Sequence, residues 1–526
     1  MELLPAKATF APGEPIEIER RGGEGPAILS LWHLDRLVAE VEFPLGEHRV
    51  AFPPQEEGGY GVECDGARTA VDVLADPLSR ARYGFVSDYR TGREVRGVAD
   101  NVRRLHLNAV QFYDWMYRHA RLLPPADEFV DALGRELSLD SVRRLAAAVS
   151  GAGSLPLGYA AVYAAGAHEW PEWEADGLYR ADGTPWMLGD FLWNVDPTST
   201  RWQAHFADDL RDAIDAIRFA GFHLDQYGAP KYALRTDGTR VDLAVAFPAL
   251  IDRLAAELPE ARLIFNNVND FPTWATATAN QAAVYIEVWS PHDRLTDLAG
   301  LAEKAHRLAP EQSVILAAYL SVYATSDDEA AACAAQSLQL ATAFSHGATV
   351  LLHGEERAVL SEAYYVRHRE LGSESEAATR RYYDFAVRYG DLLFDRRAVD
   401  VTTTHLGGVN EELKIDAPAP VSHESRAGSV WARAIRLPHG LLVSLIDLSS
   451  QPDDLWDAPK RPSQPLAGVR LSLERWAGPP RFLFACPTEQ PALCSLEGSY
   501  DGRYDSVELP PFSTWALVWI PDGADR

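Results

Sequence analysis

The chain has 526 residues, 47% hydrophobic and 24% charged, the composition of a folded soluble protein of two to four domains. Its formal net charge of −27 is spread along the chain rather than gathered in a tail, which argues against nucleic acid and anionic membranes as partners and is compatible with a neutral ligand such as a sugar. No apolar run reaches the length of a membrane span, and MELLPAKATFAPGEP lacks the basic start and long apolar centre of a secretory signal; a cytoplasmic location is expected, or secretion if a leader has been removed.

Up to residue 78, PIEIER, LVAEVEF and YGVECDGARTAVDV alternate or run apolar between Gly and Pro punctuation, which predicts a small antiparallel, immunoglobulin-like β-sandwich over 1–78. From 79 to 392, short β-rich runs alternate with amphipathic helical stretches. The strand candidates are YGFVSDY, LNAVQFYDW, LPLGYAAVYA, GFHLDQYG, RLIFNNVN, AAVYIEVW, SVILAAYL and GATVLLHG, and this set closes naturally as a (β/α)8 barrel. TRWQAHFADDLRDAIDAI opens with Thr200 and Gln203 in capping-box spacing and carries Trp202, Phe206, Leu210, Ile214 and Ile217 at helical intervals. Ser326 and Glu329 repeat the capping pattern, which assigns Asp327 and Asp328 to a helix start rather than to chemistry. After residue 392, WARAIRLPHGLLVSLIDLS, VRLSLERWAG, PRFLFACP and LPPFSTWALVWIP predict a second β-sandwich over 393–526. The fold class is thus multidomain α/β, a central TIM barrel flanked by antiparallel β-sandwich domains. Cys64, Cys333, Cys486 and Cys494 have no metal or redox spacing; Cys486 and Cys494 could form a local disulfide, with free buried thiols the alternative.

Active sites of such barrels lie at the C-terminal strand ends. Here those ends are polar and aromatic, and Asp114, Asp225, Asn267, Glu287, Trp289 and His353 are expected to share one mouth. Carboxylates from different strands, set among Trp and Tyr, suit glycoside cleavage: one group protonates the leaving oxygen, the other acts as base or nucleophile, and the rings stack on pyranose faces. No dinucleotide fingerprint, metalloprotease helix or G-x-S-x-G elbow occurs, and neither metal nor cofactor is implied.

LNAVQFYDWMYRH, GFHLDQYG, AVYIEVW, AYYVRH and RYYDFAVRYGDLL resemble the motifs of glycoside hydrolase family 66, the dextranases and cycloisomaltooligosaccharide glucanotransferases. The resemblance implies a retaining enzyme of α-1,6-glucan with Asp225 as nucleophile and Glu287 as acid/base. It also implies that the transferase branch carries an inserted carbohydrate-binding module. No such insertion fits here, which favours a dextranase-type hydrolase acting on dextran or imported isomaltooligosaccharides over a transglycosylase; a non-catalytic carbohydrate-binding protein is the remaining alternative.

Asp225 must be ionised to attack, and Glu287 must hold a proton, its affinity raised by the neighbouring aspartate charge. A retaining pair stands roughly 5–5.5 Å apart, an inverting pair about 6.5–9.5 Å. Strand alternation turns His223 to the side of Asp225 and Gln226 away. Glu355 and Glu356 are rival acids. Asp114 either binds sugar or pairs with Arg118; His119 and His353 either contact ligand or are structural. Asn267 is expected to meet substrate or orient Glu287, with Trp289 on the same side as the glutamate. Tyr113, Trp115, Tyr227 and Asp196 are further candidates for sugar binding, and Tyr364, Tyr365 and His368 belong to a motif of the resembled family with a structural role as the alternative to ligand contact.

Overall fold

The computed structural model describes residues 1–475 and 478–522, so Trp476 and Ala477, at the end of the VRLSLERWAG run, lie outside the described residues. Near the N-terminus, a three-stranded sheet (Glu2–Pro5, Ile16–Arg21, Arg49–Phe52) and a four-stranded sheet (Arg36–Phe43, Ala27–His33, Gly58–Cys64, Ala67–Val73) are both antiparallel. In the strand IEIERR, Ile16 and Ile18 are buried and Glu17 and Glu19 half-buried, the period of two that a one-sided sheet requires. Leu3 and Ile18 of the first sheet share one core with Leu29, Val62 and Val71 of the second.

The centre of the chain is one curled sheet of eleven strands. Its members are β1 (Tyr83–Val86), β2 (Ala109–Phe112), β3 (Leu155–Ala161), β4 (Gly221–Asp225), β5 (Arg262–Val268), β6 (Ala283–Glu287), β7 (Ser313–Ala317), β8 (Ala348–Val350), β9 (His353–Gly354), β10 (Ala358–Val359) and β11 (Arg369–Glu370). Strands β1 to β8 pair in sequence order and in parallel. Val350 of β8 registers with Leu316 of β7, whereas Gly354 of β9 registers with Phe85 of β1, so the two ends of the parallel set meet in one run, 348–354. Each of the eight expected runs supplies a strand to this sheet.

Gly221 opens β4 because nothing larger fits: a Cβ there would stand 1.9 Å from the carbonyl oxygen of Arg262. Helices α1 (Arg96–Arg104), α2 (Leu139–Gly151), α3 (Thr200–Ile217), α4 (Leu243–Glu257), α5 (Leu295–Leu308) and α6 (Glu329–Ser345) occupy the connections, and α7 (Ser373–Arg388) follows the sheet. Helix α3 buries Trp202, Phe206, Leu210 and Ile217, each contributing about 1.5–3 kcal/mol of apolar burial. Its cap is Ser199, whose hydroxyl accepts from Trp202 N, and the cap of α6 is Asp328, accepting from Ala331 N. Both differ from the expected Thr200 and Ser326, because the box spacing is satisfied at neighbouring positions while the extended backbone that defines a cap falls elsewhere. The longest connection, between β3 and β4, holds α3 and a small sheet (Ala164–Gly166, Met187–Leu188, Leu192–Asn194).

Toward the C-terminus, a seven-stranded sheet and a four-stranded sheet share a core of Leu413, Val443, Leu471, Val507 and Val518. The other face of the larger sheet joins the central core through Trp431, Leu442 and Trp515. Trp515 lies edge-on to Phe385 of α7 with ring centroids 5.0 Å apart. Cys486 and Cys494 are both free thiols.

Candidate active site

Asp225 ends β4 and Glu287 ends β6, and the strand between them, β5, bridges them. The Asn266 side-chain nitrogen donates to Asp225 Oδ1 at 2.7 Å and to Glu287 Oε2 at 2.9 Å. One donor reaching both groups keeps their facing oxygens close, in keeping with the roughly 5–5.5 Å separation of a retaining pair. The outer oxygens are held as well. Tyr159 OH donates to Asp225 Oδ2 at 2.7 Å, and Tyr319 OH to Glu287 Oε1 at 3.0 Å. Behind Tyr319, the Tyr365 hydroxyl lies 3.1 Å from that of Tyr319 and 3.3 Å from that of Tyr285.

Burial pushes Asp225 up to about 6, although the bonds from Asn266 and Tyr159 favour its ionised form. Glu287 is pushed further, to about 7, by burial first and then by the charge of Asp225; Asn266, Tyr319 and the Trp289 indole pull the other way. At neutral pH the arrangement therefore favours an ionised aspartate beside a glutamate that still carries its proton much of the time, the division of labour that displacement at a glycosidic carbon needs.

The structure sorts the other expected residues by side-chain direction. His223 lies under the site, its Nδ1 3.2 Å from Tyr83 OH and its ring edge-on to Tyr285; burial lowers its pKa to about 3, so it is neutral. Tyr113 stacks on Tyr365 at 4.3 Å, and Trp289, 42% exposed, stands 5.8 Å from Tyr319. Tyr227 packs edge-on against Tyr163, and its buried hydroxyl has no partner among the described residues. Asp114 is buried in the left-handed region (φ 49°) just after β2, and burial lifts it to about 7. Its counter-ion is Arg135 at 3.7 Å, not Arg118, which donates to the carbonyls of Tyr117 and Val130. His119 is buried and held neutral, its pKa lowered to about 4.

Four expectations are corrected. Asn267 is fully buried on the opposite face of β5, where it donates to Tyr285 O at 2.8 Å and accepts from Thr276 Oγ1 at 2.6 Å; its neighbour Asn266 meets the carboxylates instead. His353 is held between helices, with Nδ1 3.2 Å from Tyr383 OH and Nε2 3.1 Å from Gln336 Oε1. Because that amide oxygen can only accept, Nε2 carries the proton and both ring nitrogens are used structurally. Asp196 is likewise spent, on Thr198 and Arg235. Trp115 is buried and donates to Tyr159 O. Glu355 accepts from Arg93 and from the Ser87 and Asp88 amides in a separate polar cavity of about 780 Å³, which Glu356 also lines, so neither rival acid contacts the carboxylate pair.

Sequence reasoning missed Asn266, Tyr159 and Tyr319. The two tyrosines sit inside apolar strand runs where they read as core. The asparagine doublet at 266–267 could have flagged either residue, since only the phase of the strand distinguishes them.

A family model described as glycosyl hydrolase family 66 matches residues 5–519. Two cycloisomaltooligosaccharide glucanotransferases of Niallia circulans are 26% and 25% identical to the chain, over 60% of it in each case. The matched regions are 37% and 38% of those relatives, so the chain spans well under half of their length. A solved cycloisomaltooligosaccharide glucanotransferase of Paenibacillus sp., complexed with cycloisomaltoheptaose, superposes with a TM-score of 0.88 at 19% identity, covering 99% of both chains. An α-amylase of Geobacillus thermoleovorans complexed with acarbose superposes less closely, with a TM-score of 0.54 at 8% identity over 85% of this chain and 99% of the amylase. At these identities the solved structures speak to the fold.

Proposed function

The chain belongs to glycosyl hydrolase family 66, and from that premise we propose that it is a retaining glucanotransferase of α-1,6-linked glucose chains, with Asp225 as nucleophile and Glu287 as acid/base. The observation that carries this reading is the single Asn266 amide that spans the two carboxyl groups, a separation suited to direct attack rather than to an intervening water.

In the first step Asp225 attacks the anomeric carbon as the glycosidic bond to oxygen breaks, and Glu287 gives its proton to the departing oxygen. The products are a glycosyl ester on Asp225 and an ionised Glu287. Burial still raises the Glu287 pKa, but esterification removes the Asp225 charge that had added to it, which favours the carboxylate as a base. It then takes the proton of an incoming hydroxyl, whose oxygen attacks the same carbon and releases Asp225. Two inversions leave the anomeric configuration unchanged.

The acceptor decides between transfer and hydrolysis. The names of the relatives favour a sugar hydroxyl, including one on the same chain, which would close a ring. The dextranase-type outcome, with water as the acceptor, stands as the second reading; the strand connections do not separate the two, because the solved transferase is covered over 99% of its own chain. In architectural terms we read the curled sheet as a closed (β/α)8 barrel over 79–392 between β-sandwiches at 1–78 and 393–526; the pairing of both sheet ends with 348–354 supports it. Incubation with isomaltooligosaccharides and sizing of the products tests the function. Longer or cyclic products support transfer, shorter reducing products alone support hydrolysis, and no change in any α-1,6-glucan overturns both.

A further inference from the structure

Residues 453–460, a loop that follows the strand Gly440–Asp447 of the large C-terminal sheet, reach across to the central sheet. The loop is closed at its base by an ion pair between Asp453 and Lys460, the latter 2% exposed. From there it grips two connections. On the one after β6, Trp456 Nε1 donates to His292 O at 2.6 Å, Trp456 N to Asp293 O at 3.1 Å, and Asp454 O accepts from Leu295 N at 2.9 Å. The Asp454 carboxylate adds an ion pair with Arg294. On the connection after β7, Asp457 accepts from Ser321 Oγ at 2.6 Å and from Val322 N at 3.1 Å, at the start of the short helix Val322–Thr325.

Each gripped connection carries an aromatic residue near its start, one of which donates to Glu287 while the other packs on the first. Trp289 is three residues before His292, and Tyr319, which donates to Glu287 Oε1, is two residues before Ser321. The two rings also pack on each other. Asp225 and its partner Tyr159 lie on β4 and β3, to which, among the described residues, no hydrogen bond or ion pair runs from the loop.

We propose that the 453–460 loop is a positioning strap for the acid/base half of the site: it fixes Trp289 and Tyr319, and through them the orientation and proton affinity of Glu287. Trp456 and Asp457 are positioning residues that contact no reacting atom. The catalytic consequence rests on the assignment of Glu287 as acid/base; the mechanical one does not.

The test uses the full chain with Asp457→Ala, Asp457→Asn and Trp456→Phe. Hydrogen–deuterium exchange needs no substrate: the strap predicts that Asp457→Ala raises exchange in 288–297 and 319–326 and leaves 221–228 unchanged. Exchange that rises only within 453–460 overturns the proposal. In kinetics, kcat/KM reports bond cleavage, so it should fall roughly ten-fold on isomaltooligosaccharides but less than about three-fold on a nitrophenyl isomaltoside, whose leaving group needs no proton. The alkaline limb of the pH profile should move while the acid limb stays. Asp457→Asn, which keeps an acceptor for Val322 N, should restore most of the loss. An equal fall on both substrates, with the pH profile unmoved, overturns the proposal. Inactivity of the unaltered chain on both substrates would instead count against the proposed function, and the exchange result would still decide whether the strap holds its loops.

Discussion

Asp225 and Glu287 share one hydrogen-bond donor, the side-chain amide of Asn266, at 2.7 and 2.9 Å. Two buried carboxyl groups this close repel when both ionise, and each N–H of the amide offsets part of that repulsion. Asn266 therefore bridges the pair and favours both ionised forms against the larger upward push of burial.

Removing that donor should move both titrations the same way. Asn266→Ala deletes a bond to each charged form, so both pKa values rise and the optimum shifts to higher pH. A hydrogen bond to a charged group contributes about 1.5–3 kcal/mol, which corresponds to a shift of roughly one to two pH units. Initial rates from pH 4 to 9 read this directly; an optimum that stays put contradicts it.

The unaltered chain should show a bell-shaped profile. The proposed mechanism needs Asp225 ionised and Glu287 protonated, so activity should fall as pH drops through about 6 and again as pH rises through about 7. Because the groups interact, the limbs belong to the pair rather than to one residue each. Glu287→Gln should abolish the alkaline limb on an activated aryl glycoside and lower the rate on isomaltooligosaccharides roughly 10²–10⁴-fold.

The same shifts make a stability prediction with a definite sign. Glu287 holds its proton more tightly in the folded chain, about 7 against the ordinary 4.5. The stabilisation from that bound proton is complete below about pH 4.5 and is lost as pH rises through about 7. Glu287→Gln, which can accept from Asn266 and donate to the Tyr319 hydroxyl, lacks this loss. Its melting temperature should therefore gain on that of the unaltered chain between pH 4.5 and 7.5; a gap that narrows over this range contradicts the prediction.

Adjacent asparagines should separate chemistry from folding. Asn267→Ala removes a donor from the Tyr285 carbonyl and leaves the Thr276 hydroxyl only its 3.3 Å bond to Pro272 O, at a cost of about 1–3 kcal/mol, and leaves kcat of the folded fraction unchanged. Asn266→Ala should do the reverse, lowering kcat more than stability. Denaturant melts beside steady-state kinetics distinguish them.

Much of this architecture was legible from apolar runs and their punctuation, because a strand buried on both faces leaves a run such as AVYIE that ends where the polar mouth begins. Asp225 and Glu287 stood out for the same reason, as charges at the ends of such runs. What could not be read was side-chain direction and long-range pairing. The phase of β5 decides between Asn266 and Asn267, and a strand's exact phase is not encoded by a doublet of identical residues. Arg135 reaches Asp114 only because the hairpin formed by Glu128–Val130 and Glu136–Ser138 folds back. His353 carries the same residue type as a ligand contact would, and only the packing of α6 and α7 turns it outward.

The central claim is that Asp225 becomes covalently glycosylated, and trapping that ester tests it most directly. A 5-fluoro-α-glucosyl fluoride or its isomaltosyl homologue, followed by proteolysis and mass spectrometry, should place one glycosyl group on the peptide containing Asp225 and none in Asp225→Asn. Turnover with no trapped adduct, together with products of inverted anomeric configuration by NMR, would contradict the account.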